Sequence, residues 1–79
     1  LSAQRKIEEK IGNAGMVLVL KAYNEGLSYE EARITFAVCA RLMAWIDQHE
    51  DVSDDECVEV QAKFVREEIL NAMSAGPIQ

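Results

Sequence analysis

Gly26-Leu-Ser-Tyr-Glu-Glu-Ala-Arg-Ile-Thr-Phe-Ala-Val-Cys-Ala-Arg-Leu-Met-Ala-Trp-Ile-Asp-Gln-His49 is the stretch on which the fold turns. Ser28 and Glu31 form a capping box: the serine oxygen can accept from the Glu31 N–H while the carboxylate reaches back to the Ser28 N–H. Leu27, just before the cap, is placed to staple against Ala32. Glu30 and Glu31 favour the positive end of the helix dipole. At about 100° per residue, Tyr29, Ala32, Thr35, Phe36, Cys39, Leu42, Met43 and Ile46 fall on one arc. Ile34, Val38 and Trp45 extend it on one flank. The whole arc covers roughly 220°, against ~100° for an ordinary surface helix. Arg33, Ala37, Arg41, Ala44 and Gln48 form the small and polar remainder. Such a helix needs cover from its own chain and from another.

Upstream, Ile7, Ile11, Ala14, Leu18 and Ala22 recur at helical spacing and predict a first helix over 3–24. Gly12, Asn13 and Gly15 disfavour a helix interior, and Met16 to Leu20 reads equally as a short buried strand. Helix is favoured, because no partner strand is evident elsewhere. The two glycines would then allow another helix to approach closely. Gly26 suits the left-handed position after a helix end, so the link into the central helix, 29–48, is very short.

Downstream, Ser53 and Glu56 form a second capping box, with Asp54 and Asp55 in the first turn. The third helix is predicted over 54–74, stopped by Gly76 and Pro77, with a disordered tail over 76–79. Its main apolar stripe is Val58, Ala62, Val65, Ile69, Ala72 and Met73; a second is Cys57, Val60 and Phe64. Three helices are expected to hide their main stripes among themselves. The surplus would then lie at an interface comprising Ile34, Val38, Leu42, Trp45, Met16, Leu20, Val60 and Phe64. A symmetric homodimer is the commonest arrangement for such a surplus.

Composition sets the outer limits. Seventy-nine residues make one small domain, expected over 1–75, whose core is marginal unless it is stapled or oligomerises. Two cysteines in apolar helical patterns suggest reduced thiols and a cytoplasmic setting. A net charge of −6 opposes nucleic-acid binding and a basic membrane-surface helix. The apolar runs are interrupted at Lys21 and Arg41, short of the ~20 residues that span a bilayer. No secretory signal is visible, although opening on Leu1 rather than Met is consistent with missing residues ahead of it.

Two fragments have a family likeness. Ile11-Gly-Asn-Ala-Gly15 resembles the Ile-Gly-x-x-Gly loop of KH domains, which implies a backbone approach to nucleic-acid phosphates; the fragment contains no Lys or Arg. Gly26-Leu-Ser-Tyr-Glu-Glu-Ala32 resembles the opening of the first helix in sigma-factor-type helix-turn-helix domains. That family needs a turn and a recognition helix next, whereas here the apolar pattern runs on through Ile46. Asp51, Ser53, Asp55 and Glu59 have the odd spacing of a calcium loop, but Glu56 and Ala62 stand where Gly and Glu are required. His49 and Cys57 lack zinc spacing, so no metal or cofactor is expected. His49 instead suits the negative end of the central helix.

No nucleophile–base constellation is evident. Arg33 and Arg41, with Lys21 and Tyr23, are the candidates for holding a small anion, or for catalysis, in a pocket between subunits. The bland alternative pairs Arg41 with Glu30 or Asp47, or lays it on Trp45. The favoured reading is a non-catalytic interaction or regulatory module: a small acidic adaptor, inhibitor or immunity-type protein that binds itself and another protein. Its acidic cluster from Glu50 to Glu59 would meet a basic patch on the target.

Overall fold

The computed structural model describes residues 2–75. Three helices follow one another: α1 (Ser2–Asn24), α2 (Tyr29–Gln48) and α3 (Asp54–Ala75). There is no strand among the described residues, so Met16 to Leu20 is helical. The proposed stop at Gly76 and Pro77 and the tail 76–79 lie outside them. No described helix is long and apolar enough to cross a membrane. Backbone contacts divide the chain into two compact units, Leu1–Ala32 and Arg33–Gln79.

In the first unit, α1 ends in a Schellman motif. The Gly26 N–H donates to the Tyr23 carbonyl (3.0 Å) and the Leu27 N–H to that of Ala22 (3.2 Å). Gly26 has φ +82, the left-handed conformation this closure requires. The capping box follows at once. The Ser28 N–H donates to Glu31 (2.9 Å) and the Glu31 N–H to Ser28 Oγ (3.1 Å). The Ala32 N–H then makes the first helical bond, to the Ser28 carbonyl (2.8 Å). Gly26, Leu27 and Ser28 are therefore all committed to caps. Ala22, 6% exposed, is the buried residue of α1, with Gly15 and Val19 half-buried. The KH-like fragment Ile11–Gly15 is not a loop but lies inside α1. A Cβ built on Gly12 or Gly15 meets nothing within 4 Å.

In the second unit, α2 and α3 are antiparallel. Arg41 reaches Glu67 and Glu68, while Arg33, Ile34 and Ala37 line a concavity with Asn71, Ala72 and Ala75. Lower numbers on α2 thus lie level with higher numbers on α3. The second capping box forms as expected, with the Glu56 N–H donating to Ser53 Oγ (3.2 Å) and the Ser53 N–H to Glu56 (3.3 Å). At the end of α2, His49 Nδ1 donates to the Trp45 carbonyl (2.7 Å) and the imidazole stacks on the indole, centroids 4.3 Å apart. A terminal carbonyl is thereby satisfied. Asp51 turns the connection at φ 54, a conformation that Asp tolerates better than most residues.

One packing expectation holds only in part. The main stripes of α2 and α3 were expected inside; Ala32, Phe36, Leu42, Val65 and Ala72 are half-buried, yet Cys39, Met43, Ile46, Val58, Ala62, Ile69 and Met73 are exposed. Also turned inward are the α2 flank, with Val38 only 2% exposed, and the lesser stripe of α3, with Cys57, Val60 and Phe64 half-buried. The pairing of Arg41 with α3 supplies the reason, since it brings the Arg41 side of α2 toward Phe64, Glu67 and Glu68.

Candidate functional site

Arg41 is the most heavily engaged polar group described. It sits on α2 one turn beyond Ala37 and one turn before Trp45, on the side facing α3. Nη2 lies 2.6 Å from a Glu67 oxygen and Nη1 3.0 Å from a Glu68 oxygen. The guanidinium also lies over the Phe64 ring, 4.1 Å from its centroid. Glu67 and Glu68 are chain neighbours that repel one another, and the planar fork of Arg41 serves both at once. Hydrogen bonding from Arg41 holds the Glu67 carboxyl below its ordinary range. Partial burial opposes this, and the charges of Arg41, Lys63 and Arg66 assist. Hydrogen bonds to Glu67 and then Glu68 raise the Arg41 guanidinium further above its already high value. With two carboxylates on one guanidinium, the cluster as a whole is anionic.

The partners of Arg41 therefore come from α3, not from Glu30, Asp47 or Trp45 as local spacing suggested. Glu67 and Glu68 were not singled out from sequence; adjacent acids in a helix read as solvated surface, and only the fold brings a cation between them. Arg33 lies on the same unit, exposed, and lines the concavity formed with Ile34, Ala37, Glu68, Asn71, Ala72 and Ala75. Both arginines thus border on Glu68. In the first unit, Lys21 pairs with Glu25 on the surface (3.3 Å) and Tyr23 is exposed. Among the described residues, no three His, Cys, Asp or Glu side chains cluster to hold a metal ion. Cys39 and Cys57 are free thiols.

Of the eight residues assigned from sequence to an interface, Met16 and Leu20 are exposed on α1. Ile34, Leu42, Trp45, Val60 and Phe64 are half-buried, and Val38 belongs to the chain's own core. The open apolar surface of the second unit is carried by other residues. Counting 100° per residue from the side each helix turns inward, Cys39, Met43 and Ile46 lie about a third of a turn round α2. Ala62, Val65 and Ile69 lie about a third of a turn round α3. Because the helices are antiparallel, both displacements fall on the same side of the pair. The register that sets Arg41 beside Glu67 and Glu68 puts Cys39 level with Ile69, Met43 with Val65 and Ile46 with Ala62. The hairpin thus has one apolar face, banked by exposed Met43, Ile46 and Ile69. The four-three-four spacing of Val58, Ala62, Val65 and Ile69 was its signal in the sequence.

A second apolar surface runs along α1. Ile7, Ile11 and Leu18 are 58%, 66% and 55% exposed and share a helical stripe with exposed Ala14. No protein-family model matches the chain, and no curated protein or solved structure matches it.

Proposed function

We propose that this chain is a non-catalytic protein–protein interaction module that works through exposed apolar helical surface and associates with itself. The observation that carries the reading is the amount and grouping of that surface. Fourteen large apolar side chains are exposed among the described residues, half of them on α1, and contiguous exposed apolar area of this kind marks interaction sites. The acidic start of α3, with Asp54, Asp55 and Glu56 in its first turn, adds a surface suited to attracting a basic target, as in a regulator, inhibitor or immunity-type protein. Free Cys39 and Cys57 fit a reducing compartment such as the cytoplasm. The engagement of Arg41 by Glu67 and Glu68 weighs against an anion pocket built on Arg33 and Arg41, since the guanidinium charge is already matched.

The test is the mass in solution by light scattering, across about a hundredfold range of concentration. A dimer or larger assembly supports self-association. A monomer throughout refutes it and sends the apolar surface to a different protein.

A further inference from the structure

We infer that Arg41, Glu67 and Glu68 form a latch that selects one of two packings of the α2–α3 hairpin. The latched packing presents the apolar face. Release rolls both helices and shuts that face into the seam between them. The device belongs to the hairpin alone and does not depend on self-association.

Each helix of the hairpin has two apolar sides. The sides turned inward carry Val38 and Trp45 on α2 and Val60 and Phe64 on α3, with a guanidinium and two carboxylates set among them. The other sides carry Cys39, Met43 and Ile46 on α2 and Ala62 and Ile69 on α3, with no charged group among them. In the register fixed at Arg41, Cys39 is level with Ile69 and Ile46 with Ala62. A roll of about a third of a turn by each helix therefore brings these sides together without any sliding. Leu42 and Val65, half-buried now, lie between the two sides and border the seam in both packings. Two packings of one sequence that differ by a roll are a recognised kind of switch.

Charge decides which packing is held. Glu67 and Glu68 are 41% and 21% exposed beside the Arg41 fork. Attraction in such a partly buried cluster recovers only part of what desolvation costs, and its best-attested service is to fix one arrangement among several. The alternative seam is apolar and carries no such cost. With the cluster intact, the three charges match one another and the first packing holds. Without Arg41, two adjacent, partly buried carboxylates lose their shared cation, and that side of α3 is driven toward water.

The connection permits the roll. A third of a turn moves a helical Cα by about 4 Å. His49 is bonded to Trp45 and Ser53 to Glu56, so each travels with its own helix. Glu50, Asp51 and Val52 are left to absorb the change, and three residues reach about 10 Å when extended.

Two thiols and an indole read the packing. Cys39 is exposed and Cys57 half-buried in the latched form, and Trp45 is half-buried. In Arg41→Leu, labelling of Cys39 by a thiol reagent should slow and that of Cys57 should quicken. The ratio of the two rates should fall about tenfold or more as the second packing becomes the major one, and Trp45 emission should shift to the red. Glu67→Gln combined with Glu68→Gln should move all three readouts the same way. Adding Ile69→Glu to Arg41→Leu puts a charge into the alternative seam and should restore fast labelling of Cys39; persistent slow labelling there overturns the roll. Unchanged rates in a folded release variant overturn the latch. If circular dichroism shows one release variant unfolded, the other decides. If both are unfolded, the cluster holds the hairpin together rather than choosing its packing, and the latch is overturned. Rates are read over about a hundredfold dilution. Slowing of Cys39 confined to high concentration reports association of the face and also overturns the roll. A chain monomeric at every concentration refutes self-association and leaves the latch standing.

Discussion

The same substitution, Gly to Ala, has opposite signs at two positions of this chain. At Gly26 the backbone is at φ +82 and an added Cβ would meet nothing within 4 Å. The whole cost of Gly26→Ala is therefore conformational: holding an L-residue in the left-handed region costs ~1–2 kcal/mol. The stiffer unfolded chain returns about 0.4–1 kcal/mol of this, leaving a net loss of about 1 kcal/mol. At Gly12, inside α1, the space is equally open, but the backbone is helical. There Ala is favoured by roughly 0.5–1 kcal/mol. For a domain of this size 1 kcal/mol moves the melting temperature by about 4–8 °C. Thermal unfolding at one fixed protein concentration should show Gly26→Ala melting lower than wild type and Gly12→Ala higher. Gly26→Asn should fall between wild type and Gly26→Ala, since Asn tolerates the left-handed region. An unshifted Gly26→Ala would refute the Schellman closure. A destabilised Gly12→Ala would place a helix of another chain against that glycine, as close approach there would require.

The caps and the arginine cluster give two more expectations. Ser28→Ala and Ser53→Ala should each cost on the order of 1 kcal/mol in denaturant unfolding, because each removes an acceptor for a first-turn N–H; a variant with an unchanged midpoint would mean that its box is absent in solution. Glu67, held below the ordinary carboxylate range by Arg41, contributes stability that is present above its unfolded pKa and lost as pH falls through its lower folded value. Glu67→Gln should therefore melt below wild type at neutral pH, and the gap should close on acidification below about pH 4. A gap independent of pH would assign the effect to packing.

How much could be read from the residues depended on the range of the interaction. The helices and both capping boxes were legible because their determinants lie within four residues: Ser28 and Glu31, Ser53 and Glu56, Gly26 after Asn24. Even Met16 to Leu20, ambiguous by pattern, resolved as helix because nothing in the chain offers a strand to pair with it. The inward faces were not legible. On α2 the larger apolar arc looked like the core side, yet Arg41 with Glu67, Glu68 and Phe64 turned the other flank toward α3. That choice depends on partners 23 to 27 residues away, and no periodicity within α2 contains them. The left-handed Asp51 was likewise invisible, since an aspartate in a short acidic connection has many ordinary readings.

Only Ala22 and Val38 fall below a tenth exposed among the described residues. Ordering a residue's backbone costs roughly 1–2 kcal/mol, and two small buried side chains cannot offset that over three helices; the half-buried contacts of the hairpin and the caps must carry the isolated chain. On the self-association proposed above, surface buried between copies contributes to folding itself, and folding and association become one equilibrium. The melting temperature should then rise with protein concentration, most steeply where the dimer begins to dissociate. Ile11→Asp, which puts a charge on the exposed apolar stripe of α1, should weaken that dependence if the stripe is what associates. A wild-type melting temperature constant over a hundredfold dilution, with helical content intact, would mean that the single chain is sufficient and that its outward stripes serve some purpose other than its own stability.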